Sequence, residues 1–350
     1  VFAVDFVNCM RGNPEETLKA SPPTPLVSVI IPTWNGRHLL AQCLKSLASQ
    51  TFDDFEVVVV DNGSQDDTAE WLRSSYPTVR LVRLPTNRGF AAATNCGIRA
   101  TRSPLIVTLN NDTVAPPDFL AHLVHASTRF PEVGMFAATL LLPTSPSRVD
   151  AAGLEIDRLG VAWNAGRGLP PHELSTRHGP IFGPCAGAAL YRRSLFEDVG
   201  LFEEAFFAYL EDAELAWRAR WAGWRCLWVP QAQVIHEHSA TGRRNAARKF
   251  WLLGRNRIWA LRRHYPRPHL WPYLPLIVLH EFVTGFLASL VIRHPAPLLG
   301  RLMALRHPPP PVPCPRRLTA NEMFAQLTPL HNPRIIVQRY RASWVSSERR

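Results

Sequence analysis

The sequence predicts an α/β protein: a mostly parallel sheet covered by helices on both faces. Three observations predict it. Apolar, β-branched runs of strand length begin at positions 27, 55, 79 and 105. Segments with apolar residues at helical spacing lie between them. The strands carry no polar alternation, as expected where helices bury both sides of a parallel sheet. The chain of 350 residues is 46% hydrophobic and holds 11 Trp and 17 Phe, enough apolar mass to bury a large core and too much for a disordered tail.

Each element follows in order. Residues 1–25 read as a polar leader ending in Pro22, Pro23 and Pro25, with an early acid and none of the apolar core of a secretory signal. VSVIIPT (27–33) is the first strand, and in 36–50 Leu39, Leu40, Cys43, Leu44 and Leu47 share one helical face. FEVVVVD (55–61) is the second strand, 66–74 a short helix, 79–84 the third strand and 89–100 a helix. LIVTLN (105–110) is a buried strand entered through Pro104, and 116–130 is a helix with prolines in its first turn. Residues 143–181, rich in Pro, Ser, Gly and His, read as an irregular excursion. Order returns with GPCAGAALYRRSLF (183–196), a helix over about 210–222 and two strand-like segments, RCLWVP and QVIHEH. A basic, aromatic helix over 242–265 and an apolar stretch over 274–292 come next. The prolines at 308–311, 313 and 315 predict a stiff extended spacer rather than packed structure. The predicted divisions are a leader (1–25), an α/β domain (26–241), a helical module (242–305) and a Pro-rich basic tail (306–350).

Charge divides the chain in the same way. The net charge of +11 suggests a nucleic-acid or membrane partner. Residues 243–350 hold 19 Lys and Arg against three acids, a net of +16, and residues 1–242 hold 20 against 25, a net of −5. The basicity therefore belongs to the C-terminal third. Six cysteines without CxxC spacing read as reduced thiols of a cytosolic protein.

Polar residues cluster where the strands end, which is where open α/β sheets bind ligands. No GxGxxG follows the first strand, against a dinucleotide site. Asp61 can accept from a base N–H or a ribose hydroxyl, or can cap the turn into the next helix with Ser64. Asn110, Asn111 and Asp112 can hold a divalent cation on a diphosphate, or form an Asx turn. Glu211, Asp212 and Glu214 open a helix, where acids suit the helix dipole, and one of them can instead be a general base beside a cleft.

VSVIIPTWN, VVVVDNGSQDDT, NRGFAAATNCGI, LNNDT, GPCAGAALYRRSLFEDVGLFEE, YLEDAELAWRA and VIHEHSATG stand in this order over residues 26–265. In sequence and spacing they resemble the family-2 inverting glycosyltransferases of the GT-A fold, closest to their bacterial rhamnosyltransferase-like branch. The resemblance implies that Pro32, Thr33 and Asn35 lie against the nucleotide of a nucleoside-diphosphate sugar and that Asp61 binds its base. It implies that Asn87 and Gly89 line the same site. It puts Asn110, Asn111 and Asp112 in the place of a DxD motif, with Asp112 as ligand to Mg²⁺ or Mn²⁺ and His236, with His238 as runner-up, completing the metal site. Asp212 takes the place of the catalytic base, supported by Glu211, Glu214 and Arg218. The chain departs from the family pattern at Asn110, which removes one carboxylate from the metal, at Glu214, which replaces Asp, and at Phe202-Glu203-Glu204, which replaces FDE.

The implied chemistry needs a stabilised diphosphate leaving group and a deprotonated acceptor hydroxyl. A metal on Asp112 would supply the first and Asp212 the second, a contribution of about 10²–10⁴-fold for general bases. One base and one in-line displacement imply inversion. In the basic third, Arg244, Arg248, Arg255 and Arg262 share a sector opposite Ala246, Phe250, Leu253, Ala260 and Leu261, which makes a basic amphipathic helix. Arg257 falls on the apolar side, to snorkel or to meet a phosphate, and the Arg255-Asn256 pair has no evident role. Segment 274–292 has the length of a membrane span but carries His280, Glu281, Thr284 and Ala288 on one face. This favours a helix lying in an anionic membrane surface over a core, dimer or spanning helix. That arrangement suits a lipid-linked or polysaccharide acceptor and a place on the cytoplasmic face of the plasma membrane. Two other classes stand beside the transferase: a catalytically weak sugar-nucleotide-binding partner, suggested by Asn110, and a nucleic-acid-binding protein, suggested by the charge but lacking any nucleic-acid motif.

Overall fold

The computed structural model describes residues 24–143, 148–174, 181–237 and 245–330. The first half follows the predicted alternation: β1 (Val27–Thr33), α1 (Arg37–Leu47), β2 (Phe55–Asp61), α2 (Thr68–Ser75), β3 (Arg80–Arg83), α3 (Gly89–Arg99), β4 (Leu105–Leu109), β5 (Thr113–Val114) and α4 (Phe119–Arg129). β1 to β4 are mutually parallel in the order β3-β2-β1-β4. Thr33 is level with Asp61, and Asp61 with Arg83, so three strands end on one line.

The second half is mixed rather than parallel. It comprises β6 (Met135–Leu142), β7 (Arg148–Ala151), β8 (Leu154–Ile156), β9 (Ala162–Asn164), α5 (Pro171–Leu174), β10 (Ala188–Arg192), α6 (Arg193–Val199), a 3₁₀ turn (Glu204–Phe206), α7 (Glu211–Trp221) and β11 (Cys226–His236). The sheet continues β4-β10-β6-β11-β5, with β10 antiparallel to both neighbours and β11 parallel to β6. Periodicity does not reveal this change of direction, because antiparallel strands buried on both faces are as uniformly apolar as parallel ones. RCLWVP and QVIHEH form one strand whose register shifts between Trp228 and Gln233, where Pro230 cannot donate to a ladder. The supposed excursion after 142 contains β7 and the β8–β9 hairpin, set by Asp157, which accepts from Leu159 N, Val161 N and Trp163 Nε1 at 2.8–3.0 Å.

One core cluster fills the sheet face under α1 and α4, and a second fills the face under α3, α6 and α7. A third joins β8, β9 and α7 to the C-terminal helices α8 (Ala246–His264), α9 (Arg267–Val291) and α11 (Ala320–Ala325), and a fourth packs α8 against α10 (Ala296–Arg306). The Pro-rich stretch carries no regular structure, but the chain beyond it is not a free spacer. Arg317 and Leu318 donate to Trp221 O, Met323 and Leu327 are buried, and Thr328 N donates to Ile156 O at 2.8 Å.

Two buried polar devices hold α7. Glu214 receives Arg218 from its own helix, Arg263 at 2.8 Å and His264 at 2.9 Å from α8. Arg218 also donates to the carbonyls of Val199, Gly200 and Leu201. Burial would raise the Glu214 carboxyl, but Arg218 foremost outweighs it and holds the group well below the usual carboxylate range. The second device is the Arg255-Asn256 pair. Asn256, fully buried, donates to the carbonyls of Phe206, Ala208 and Tyr209 at 2.7–3.0 Å. Arg255, between Trp251 and Trp259, donates to Ala205 O and Phe206 O and to Asn256 Oδ1. Arg255 thus leaves the expected solvent-facing basic sector, because these carbonyls and indole faces satisfy it inside. Arg244 lies outside the described residues.

Two predictions follow from these devices. Arg218→Met leaves Glu214 short of its principal partner, and chemical denaturation should show a loss of about 3–5 kcal/mol. Because the Glu214 carboxyl is depressed on folding, its contribution is present above its ordinary value of 4.5 and fades as the pH falls below it. Asn256→Ala strands buried carbonyls at a cost of about 1–3 kcal/mol, and hydrogen exchange at residues 206–210 should quicken ahead of the β1–β4 core.

Candidate active site

The register brings the strand ends to one cleft of about 600 Å³. Thr33 is buried at the end of β1, and its Oγ1 accepts from Asn111 Nδ2 at 2.8 Å. Pro32, Thr33, Asn87, Gly89 and the Asn110-Asn111-Asp112 segment all line this cleft. Asn35 does not. It takes a left-handed conformation (φ 49°) and ties two loops together, donating from its N to Ser64 Oγ at 2.9 Å and accepting from Gln65 N at 2.8 Å.

Asp61 also stands outside the large cleft, beside a second cavity of about 320 Å³ lined by Gly63, Ser64, Arg83, Leu84 and Pro85. Both roles expected of it have a structural counterpart. Oδ1 accepts from Ser64 N at 3.0 Å, a turn bond. Oδ2 is buried and accepts no hydrogen bond, with the Arg83 guanidinium at 3.4 Å. A buried carboxylate oxygen with a vacant acceptor site is costly unless a donor arrives.

Asn87 and Gly89 form a closed corner with Asn62, a residue that sequence reasoning left out of the site. Asn62 Nδ2 donates to Asn87 Oδ1 and Gly89 O at 3.1 Å, and Asn62 Oδ1 accepts from Arg88 N at 2.9 Å. Gly89 has φ +88°, and a Cβ there would lie 2.3 Å from Phe207 O. Only glycine lets α3 start against the 207–210 turn.

The antiparallel β10 delivers the next part. Ala188 pairs with Leu109, so the GPCAG run (183–187) lies across the end of β4. Asn110 N donates to Gly187 O at 2.9 Å, and Ala186 N donates to Asp212 Oδ2 at 3.3 Å. A single dipeptide thus links the Asn110 segment to the first turn of α7. Asp212 and Glu211 are side by side and both line the cleft. Burial, then the charge of Asp212, pushes Glu211 up to about 8, and burial also raises Asp212. Glu214 and Arg218 do not reach the cleft wall; they position the helix from its buried side, as described above.

β11 runs antiparallel to β5, with His236 opposite Thr113, and this sets His236 beside Asp112. Its Nε2 is 3.3 Å from Asp112 Oδ1 and 3.4 Å from Asn110 Nδ2, and its Nδ1 is 2.9 Å from Asp150 Oδ2. Asp150 in turn meets Arg167 at 3.2 Å. Burial pulls the imidazole down, but hydrogen bonds to Asp112 and Asp150 outweigh it and bring it up to about 9. His238, the runner-up ligand, lies outside the described residues. Among the described residues no three His, Cys, Asp or Glu side chains are grouped so as to hold an ion by themselves. Asp112 and His236 offer one oxygen and one nitrogen side by side. Once Nε2 is deprotonated, that fits a hard divalent ion, which would displace the proton the two carboxylates hold on the ring and take its remaining ligands from phosphate and water, with Asp150 orienting the histidine. Sequence reasoning missed Asp150 and Arg167 because they sit in the stretch read as irregular; the only signal was an isolated acid in the apolar VDAAG run.

Comparison with known proteins agrees with this geometry. Residues 28–200 match the family model Glycosyl transferase family 2. The chain is 32% identical over 62–65% of its length to an uncharacterized protein of Sinorhizobium fredii and to the O-antigen biosynthesis protein RfbC of Myxococcus xanthus, of which it spans 25% and 19%. It is 28% identical, over 63% of its length and 79% of the relative, to N-acetylglucosaminyl-diphospho-decaprenol L-rhamnosyltransferase of Mycobacterium tuberculosis. In fold it resembles a mannosyltransferase from Pyrobaculum calidifontis solved with GDP-Man and Mn²⁺ (TM-score 0.51, 18% identity, 93% of this chain and 86% of that one). The fold is GT-A, and over residues 28–200 the chain resembles glycosyl transferase family 2.

Proposed function

We propose that the chain is an inverting glycosyltransferase that moves a sugar from a nucleoside-diphosphate donor to a lipid-linked or polysaccharide acceptor in cell-surface glycan synthesis. The observation that carries this is Asp212, a half-buried carboxylate on the same cleft as Asp112 and His236 and tied to their segment through Ala186 and Gly187. The rhamnosyltransferase-like relatives favour rhamnose as the sugar. The orphaned Asp61 Oδ2 suits a base N–H, and the Thr33–Asn111 and Asn62–Asn87 pairs wall the path of the donor.

Asp112 and His236 would hold a divalent ion, Mg²⁺ or Mn²⁺, which when bound neutralises charge on the leaving diphosphate. Asp212 takes the proton of the acceptor hydroxyl as that oxygen attacks the anomeric carbon from the side opposite the diphosphate. One displacement inverts the centre. Glu211, whose carboxyl burial pushes up to about 8, stands beside the base.

The helical module supplies the location. α9, 25 residues long, is apolar enough to cross a membrane by composition. Yet Glu281, Thr284 and Ala288 are buried against the protein. Phe282, Phe286 and Leu290 of α9 and Leu299, Leu302 and Leu305 of α10 are exposed. This one-sided face suits a helix lying in an anionic membrane surface on the cytoplasmic side, with basic flanks such as Arg267, Arg293 and Arg306.

Asp212→Asn should abolish transfer while thermal stabilisation by the sugar nucleotide with Mn²⁺ persists; turnover in that variant would remove Asp212 from the role. Because an ionised base is required and its carboxyl is raised, wild-type activity should fall on acidification with a midpoint above the ordinary aspartate value of 3.8. The full chain should sediment with vesicles containing phosphatidylglycerol and release in high salt. Phe282→Glu combined with Phe286→Glu should cut that binding at least tenfold, and binding equal to wild type would contradict the interfacial placement.

A further inference from the structure

The cleft has two chemically different ends. At the strand ends its acids, Asp112, Asp150, Glu211 and Asp212, stand with Arg167 and His236. Its other end runs between α8, α9 and α10, and the charged side chains on that wall are Lys249, Arg257 and Arg301. The acid that fixes the two arginines, Glu281, is not on the wall but behind it. Its Oε1 is engaged by Arg257, and its Oε2 accepts from Arg301 Nε at 2.9 Å. Two guanidiniums thus share one carboxylate, and Lys249 lines the cleft beside them.

These side chains are fixed in place. Arg257 also donates to Leu159 O and Gly160 O at 3.2–3.3 Å. Arg301 donates to Pro297 O at 3.0 Å and to Thr284 Oγ1 at 3.2 Å. It reaches the cleft from α10 only because glycines face it on both neighbouring helices. A Cβ at Gly254 would lie 2.9 Å from its guanidinium, and one at Gly285 would lie 3.2 Å from its Cδ. A pre-oriented pair of guanidiniums, one buried and one half-buried, with a lysine beside it is the donor set that di-anionic phosphate groups favour.

One helix joins this wall to the outside. Thr284 and Ala288 of α9 line the cleft, while Phe282, Phe286 and Leu290 of the same helix are exposed. A ligand with its anion in the cleft and an apolar tail passing out over α9 and α10 satisfies both surfaces at once. The donor diphosphate has its own place at the strand ends, beside Asp112.

We propose that the basic end of the cleft docks the diphosphate of a prenyl-diphosphate-linked acceptor through Lys249, Arg257 and Arg301, with the prenyl chain leaving along the exposed face of α9 and α10. This rests on the transferase reading above and assigns the acceptor's anchor within it.

The test titrates farnesyl diphosphate, inorganic pyrophosphate and farnesol into the full chain in EDTA, which suppresses metal-bridged binding at the donor site, with tryptophan fluorescence and calorimetry as readouts. Farnesyl diphosphate should bind more tightly than either other probe. Lys249→Gln, a partly exposed site that can be changed without disturbing the core, and Arg301→Gln should each raise its Kd at least fivefold; Arg301→Lys should recover most of the loss. Farnesol binding should be the same in all variants. Equal Kd in wild type and both Gln variants overturns the proposal, and pyrophosphate binding as tightly as farnesyl diphosphate overturns its lipid part. The same preparations are scanned against a panel of sugar nucleotides with Mn²⁺. Absence of any donor stabilisation in wild type counts against the transferase reading, whereas donor stabilisation kept in every variant while farnesyl diphosphate binding is indifferent to them counts against this inference alone.

Discussion

The site depends on a turn that L-residues adopt reluctantly. Phe207, Tyr209 and Leu210 all have positive φ, between 65° and 70°. Each such residue costs on the order of 1–3 kcal/mol unless its surroundings determine it. The determinants are visible: Asn256 and Arg255 bind four carbonyls between 205 and 209, and the bare backbone of Gly89 lets α3 press against Phe207. Leu210 is the residue from which α7 starts, so the direction of Asp212 into the cleft is inherited from this turn. The Glu214 network fixes the other side of the same helix. The geometry of the cleft is therefore set by the C-terminal helices as much as by the sheet.

Local pattern made part of this legible. β1 to β4 and the helices between them follow from β-branched runs and helical spacing, and their ends are where the polar residues stand. The placement of Asp112, Asp212 and His236 on one cleft agrees with the motif order. What local pattern could not carry was direction and partnership. Whether β10 runs with or against β4 depends on packing far along the chain, and that choice decides whether Ala186 and Gly187 meet Asp212 and Asn110. Glu214 and Arg218 occupy motif positions beside Asp212, yet helical geometry turns them away from the cleft. Asp150 gained its place on His236 through a strand in a region whose composition looks irregular. Arg255 was on the basic stripe of a helical wheel, but a wheel cannot show that two indoles and two carbonyls await it.

The mixed sheet is what allows two chemical parts to share one cleft. Parallel strands deliver polar groups to the cleft from their carboxyl ends: Thr33 and Asn110. The antiparallel β10 enters from that same edge, so its preceding loop is available there, and β11 returns parallel to β6 to present His236. The charge division in the sequence maps onto this plan. Acids gather at the strand ends, and the cations of the last third line the opposite end of the cleft and the flanks of an apolar face.

α9 separates the cleft from that apolar face by the width of a single helix, about 10–12 Å with its side chains. On the proposed placement, this thickness measures the height of the reacting hydroxyl above the lipid surface. An acceptor whose next hydroxyl lies within one or two sugars of its lipid anchor can reach Asp212 while its diphosphate remains docked. A longer glycan would carry its growing end past the cleft and out into solvent. The helix wall would then act as a ruler, restricting the enzyme to an early addition and letting acceptors be found by diffusion in two dimensions.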